Sequence, residues 1–123
     1  MEIYENYEGQ LIQNITLLSV EKKINFAIEI CERLLPEYEK FEIESSWGNS
    51  KSLKHGIDYC KRNRNLKNLN IILIRKLIES IDQVTPHMDD YGHLQGSFAM
   101  NAGLAIIATL QFIWIEKIFI SVM

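Results

Sequence analysis

The run FAMNAGLAIIATLQFIWI, from Phe98 to Ile115, holds eighteen residues without a charge. Nothing else in the chain constrains the fold as strongly. So apolar a stretch either crosses a bilayer or becomes the helix around which a domain packs. Eighteen residues is the lower limit for a span. Asn101, Thr109 and Gln111 interrupt the run, and no cluster of Lys or Arg flanks it to set an orientation. The sequence therefore predicts a long buried helix in a bundle, with no membrane involvement. Other segments must supply the faces that cover it.

The clearest such face lies upstream. Val20, Ile24, Ala27, Ile28, Cys31, Leu34, Leu35, Tyr38 and Phe41 recur at three- and four-residue spacing, one wide apolar stripe on a helix. Ser19 is placed to cap it. Glu21, Lys22, Glu29, Glu32, Arg33 and Glu39 lie opposite, and Glu29 precedes Arg33 by four, the favourable order for a helical ion pair. Pro36 interrupts the stripe at a cost of about 3 kcal/mol. Because the stripe continues to Phe41, a kink, or two helices nearly in line, is expected. Arg33 is expected to tie that kink to a neighbouring turn, taking carbonyls that Pro36 leaves unpaired.

Trp47-Gly48-Asn49 ends the element. Ser50 is expected to cap another helix, with Leu53, Ile57 and Cys60 inward. NRNLKN (63–68) is a polar connection. In LNIILIRKLIESI (69–81) the apolar run suits a buried strand by composition, but the stripe Leu73, Leu77, Ile78, Ile81 favours a helix. Tyr7 to Ile15 reads as a short helix with Leu11, Ile12 and Ile15 inward. No repeat stands out. Six glycines and two prolines are too few for a many-turned all-β fold. The expectation is all-α: one helical domain over residues 1–123, a bundle of five to six helices with a proline-kinked second helix and a long apolar C-terminal helix.

Charge is arranged in blocks. Residues 1–50 carry ten acids and four bases; residues 51–76 carry eight bases (Lys51, Lys54, Lys61, Arg62, Arg64, Lys67, Arg75, Lys76) against Asp58 alone; residues 77–123 carry five acids and one base. Either the blocks face each other within the fold, or they steer a charged partner. The net charge of −3 argues against nucleic acid, and the basic block offers no aromatic after Tyr59 on which bases could stack.

Chemistry-bearing residues are dense only in PHMDDYGHLQG (86–96). His87, Asp89, Asp90 and His93 are of the types that hold zinc. Their spacing is not that of a His-Glu-x-x-His helix, and each also suits a turn: Pro86 sets direction, an Asp caps amides, Gly92 turns, Tyr91 packs. Cys31 and Cys60 stand apart in amphipathic stretches and are expected buried and reduced. Glu32-Arg33 has the types for clamping an anion, but its spacing serves the proline kink. No Ser-His-Asp set, glycine-rich phosphate loop or catalytic carboxylate pair is present. The chain is expected to be no enzyme and to carry no metal or cofactor.

FAIEICERLLPEYEKF (26–41), through Phe26, Cys31, Glu32, Arg33, Pro36, Tyr38 and Phe41, resembles the opening helix of the YjaG-like family of uncharacterised bacterial proteins. A second similarity runs through Ile81, Pro86, Asp89, Asp90, Tyr91, Gly92 and the small-residue helix from Ala99 to Ala108. The resemblance implies an all-helical fold and brings no established catalytic mechanism with it. Family members run longer, so this chain is expected to be shortened at its C-terminal end. An apolar face with Phe112, Trp114 and Phe119 would then be uncovered, favouring a partner or a homo-oligomer through the C-terminal helix.

The functional expectation is a non-enzymatic, cytoplasmic protein-binding module, an immunity protein that occupies and blocks a toxin such as a nuclease. The acidic N-terminus, MEIYENYEGQ, lacks a secretion signal. Glu37, Glu39, Glu42, Glu44, Asp89 and Asp90 are the expected contact residues, offering negative charge in place of phosphates. The alternative is a small metal-dependent hydrolase, or metal-binding protein, using the 87–93 loop.

Overall fold

The computed structural model describes residues 19–87 and 94–122, and in them four helices: α1 (Val20–Ser45), α2 (Ser50–Arg62), α3 (Ile71–Gln83) and α4 (Leu94–Val122). The all-α expectation holds, with no strand among the described residues. Among the described residues the helices number four, against the five to six expected of the whole chain. The Tyr7–Ile15 segment lies outside the described residues, and Pro36 does not divide its helix.

Ser19 caps α1 by accepting from the Lys22 amide at 3.2 Å. The helix then runs unbroken through Pro36 to Ser45. The missing proline N–H deprives the Glu32 carbonyl of its helical partner, at about 3 kcal/mol. Ile24, Ile28, Cys31, Tyr38 and Phe41 are all buried along one side, and each such side chain contributes about 1.5–3 kcal/mol. Their sum outweighs the proline and keeps one continuous helix rather than two in line. Arg33 does not serve the proline. It pairs with Glu29 at 2.6 Å on the exposed face, as the four-residue spacing predicted.

The cap of α2 is Asn49, whose side chain accepts from the Lys51 amide at 3.0 Å; Ser50, the expected cap, is the first helical residue. Leu53, Ile57 and Cys60 point inward as expected. The ambiguous 69–81 run is helical. Asn70 opens it by accepting from the amides of Ile72 and Leu73. Ile74 and Ile81 are its buried residues, with Leu77 and Ile78 packed beside them, while Leu73 is exposed.

The uncharged run lies within α4, which contacts α1, α2 and α3. Ala99, Ala102, Ile106, Leu110 and Ile113 are fully buried along it. The stretch Gly96–Phe119 is long and apolar enough to cross a membrane, but this face of it is the core of the bundle. Close approach is enforced at Gly103, where an added Cβ would fall 2.0 Å from Thr85 Oγ1.

One joint recurs that no sequence repeat announced. Tyr38 Oη accepts from the backbone N–H of Asn49, the α2 cap, at 3.0 Å. Tyr59 Oη accepts from the backbone N–H of Asn70, the α3 cap, at 3.1 Å. In both cases the tyrosine sits on the preceding helix, eleven residues before the asparagine. Tyr38 also donates to the Val84 carbonyl at 2.5 Å, tying the end of α3 to α1. Gly48, at φ +105°, allows the first turn to close over the ring: an added Cβ would lie 2.5 Å from Tyr38 Oη.

Candidate protein-binding surface

The four expected contact glutamates all lie on the last turns of α1, but not on one face. At about 100° per residue, Glu37 and Glu44 fall within about 20° of each other, and Glu39 and Glu42 within about 60° on a different side. Glu39 meets Lys54 of α2 at 3.7 Å. Glu42 reaches the start of α2, where one oxygen accepts from the Ser50 amide and the other from its hydroxyl at 3.3 Å. This is a second cap for α2, supplied from outside the helix. Glu37 pairs with Lys40 at 3.7 Å, and Glu44 is exposed. Glu32 joins the seam with Lys61 at 2.7 Å.

The acidic and basic blocks therefore complement each other across α1 and α2. Glu39 and Glu42 are committed to the fold, whereas Glu44 is exposed. Both Asp89 and Asp90 lie outside the described residues.

Two large apolar side chains are exposed near the end of α1. Ile43 is 79% exposed, the most exposed large hydrophobic residue described. Trp47, in the following turn, holds its ring edge-on to Phe41, with centroids 6.1 Å apart and planes at 80°. The turn itself is fixed: Ser45 Oγ donates to the Phe41 carbonyl at 2.6 Å, and Trp47 N donates back to that hydroxyl at 3.3 Å. An exposed Ile, a tryptophan oriented before any encounter and a charged margin form the pattern of an interface anchor. Ile43 and Trp47 are not among the contact residues expected from the sequence, although an Ile among charges just before a Trp-Gly turn is a legible signal.

The 87–93 loop contributes one described residue, His87, which is exposed; His93 lies outside the described residues. Among the described residues no group of three metal-ligating side chains comes together. Burial raises the pKa of both thiols, that of Cys60 to about 12, where the neighbouring Cys31 adds to the effect. Thiols so protonated are poor nucleophiles. Cys31 Sγ lies 3.5 Å from Thr109 Oγ1 in the core.

Two shallow apolar grooves flank α4. One, of about 390 Å³, is lined by Ala27 and Ile30 of α1 and by Ala105, Ala108, Thr109 and Phe112. The other, of about 490 Å³, lies against α3 and takes in Ile71, Ile78, Gln111, Trp114 and Ile115. Phe112 and Trp114 are thus partly covered by neighbouring helices, contrary to the expectation that they lead an open face, whereas Phe119 is exposed as expected.

The model of a family described as "Protein of unknown function (DUF416)" matches residues 10–119, and the chain belongs to that family. The crystal structure of a DUF416 family protein from Shewanella baltica OS155 has the same fold, with a TM-score of 0.75 at 23% identity, over 85% of this chain and 53% of that one. The present chain thus spans about half the length of that relative. No curated protein matches.

Proposed function

We propose that this DUF416 member is a non-enzymatic protein-binding module that occupies and blocks a cognate toxin in the cytoplasm, as an immunity protein does. Within the family we place it with the YjaG-like bacterial members, on the Cys31-Glu32-Arg33 and Pro36-x-Tyr38 pattern of α1. The observation that carries the binding reading is the exposure of Ile43 on the last turns of α1. An Ile 79% exposed stands on the last turns of a helix, and the turn that follows holds Trp47 against Phe41. Glu44 and the Glu37–Lys40 pair supply the charged margin, which speeds encounter and sets orientation more than it adds affinity. The toxin assignment is supported by the class of chain: small, acidic and helical, with no catalytic constellation among its described residues.

The test is whether a neighbouring gene encodes a toxin domain, and whether co-expression relieves its toxicity. Growth should be restored by the wild-type chain and lost with Ile43→Asp/Trp47→Ala, whose helical circular dichroism should be unchanged. Removing such an anchor should weaken a measured complex by about 30-fold or more. Toxicity undiminished by the wild-type chain, or rescue indifferent to the double variant, would sink the proposal.

A further inference from the structure

We propose that α4 carries a homodimer interface, its outer face pairing antiparallel with the same face of a second copy. This goes beyond the toxin reading and uses a different surface, so either can fail without the other. Stepping alternately by three and four from Asn101 gives Leu104, Ala108, Gln111, Ile115 and Ile118, and every one of the six is exposed. Leu104, Ile115 and Ile118 stand 48%, 50% and 45% open. Alternate three and four is the 3.5-residue period that keeps a seam facing a second helix. The buried face of α4 is already satisfied by α1, α2 and α3; this is a second, complete stripe.

Its symmetry names the occupant. Gln111 is the centre, with Leu104 seven residues before it and Ile118 seven after, Ala108 three before and Ile115 four after. A two-fold axis through Gln111 sets Leu104 against Ile118 of the second copy and the small Ala108 against its large Ile115. The two Gln111 amides meet at the axis, each with a donor and an acceptor for the other. A parallel pair would instead oppose Ala108 to itself and leave a gap. An isologous contact needs a self-complementary patch of this kind.

The area is close to sufficient. A fully exposed large side chain offers about 200 Å². On that scale Leu104, Ile115 and Ile118, with the exposed Phe119, Ile30 and Phe26 beside the α1 groove, present roughly 600 Å² per copy, against about 800 Å² for a stable interface. Ala108 and Gln111 add to it.

Sedimentation equilibrium of the full chain should give twice its 14.4 kDa mass. Ile115→Asp, at a site exposed in the monomer, should keep the helical spectrum and raise the dimer dissociation constant at least about 100-fold, since each copy would bury an unpaired charge. Ile43→Asp, on α1, should leave the dimer intact. A mixture of Leu104→Cys and Ile118→Cys chains should cross-link between the two variants faster than either alone; native Cys31 and Cys60 are buried and silent. A wild-type chain monomeric at roughly 100 µM overturns the proposal, whether or not it floats with phosphatidylcholine vesicles. So does a dimer indifferent to Ile115→Asp, or Leu104→Cys alone cross-linking as fast as the mixture.

Discussion

Two kinds of joint hold the described helices, and they divide the molecule. From α1 to α3 the joints are polar and point-like: Tyr38 to Asn49 and Val84, Tyr59 to Asn70, Glu42 to the start of α2, Glu32 to Lys61. α4 is held chiefly by shape, through fully buried Ala99, Ala102, Ile106, Leu110 and Ile113 and the close approach at Gly103. A hydrogen bond has one correct geometry and fixes register; an apolar contact is a sum over area and tolerates more. The comparison also sorts the surfaces. The polar half pairs some of its charges across α1 and α2, and Ile43 stands exposed at its edge. The apolar half has more hydrophobic surface than three helices cover, and the excess forms the outer stripe of α4.

The comparison breaks most easily at Gly103. Gly→Ala in a helix ordinarily stabilises by about 1 kcal/mol. Here the new methyl would meet Thr85, a stiff β-branched side chain that is buried and donates to the Ile81 carbonyl at 2.6 Å. Rotation of the Thr85 side chain does not relieve this, because the new methyl would also lie 2.9 Å from Thr85 Cβ. Gly103→Ala is expected to destabilise by about 2–3 kcal/mol in urea titration, and Thr85→Ala in the same chain should recover part of the loss. A neutral or stabilising Gly103→Ala would mean that α4 is not held by close fit.

The polar half is tested by its own internal contrast. Tyr38 makes two bonds with its hydroxyl and Tyr59 makes one to the same kind of cap. Each such bond contributes about 1 kcal/mol net, and groups left unsatisfied in the interior cost more. Tyr38→Phe should therefore cost about 2 kcal/mol and Tyr59→Phe about 1 kcal/mol, read from the shift in urea midpoint. Equal losses would show that the Val84 link adds nothing, and that α3 is positioned by apolar contacts as α4 is.

What the sequence disclosed follows the same division. Apolar burial is written in periodicity, so the α1 stripe, the α2 face and the central α4 were legible. Where the apolar run was unbroken, its phase was not: Ile71 to Ile74 are all large and apolar, yet Ile74 is buried on the face it shares with Ile78 and Ile81 while Leu73 is exposed. The cap of α2 was misplaced by one residue because Asn49 and Ser50 are both good caps. The tyrosine joints were invisible, since a tyrosine on an apolar stripe looks like any core residue until its hydroxyl finds a partner across a turn. At the candidate surface the acidic cluster was legible as composition, but helical rotation splits it, and two of the four glutamates are engaged by α2. The complementarity of the charge blocks was one of the two readings the sequence allowed, and Glu32–Lys61 and Glu39–Lys54 favour it.

The smallest expected effect asks whether the apolar side is dry. Cys60 is almost fully buried, and burial, with Cys31 nearby, pushes its thiol from 9.0 up to about 12. Below pH 9 the thiol is protonated folded and unfolded, and its pKa difference has no effect. Above pH 9 the unfolded chain sheds the proton while the folded one keeps it, so unfolding gains free energy at up to about 1.4 kcal/mol per pH unit. Stability should therefore be flat in this group up to about pH 9 and fall between 9 and 12, by about 1 kcal/mol at pH 10. Tyr38, also raised by burial, acts in the same direction, so the informative quantity is a difference. Urea titrations at pH 8 and pH 10 should show a smaller alkaline loss for Cys60→Ala than for the wild type, whatever the variant's stability at pH 8. Identical losses would mean that water reaches Cys60, and that the contact of α1 and α2 with α4 is looser than its close packing implies.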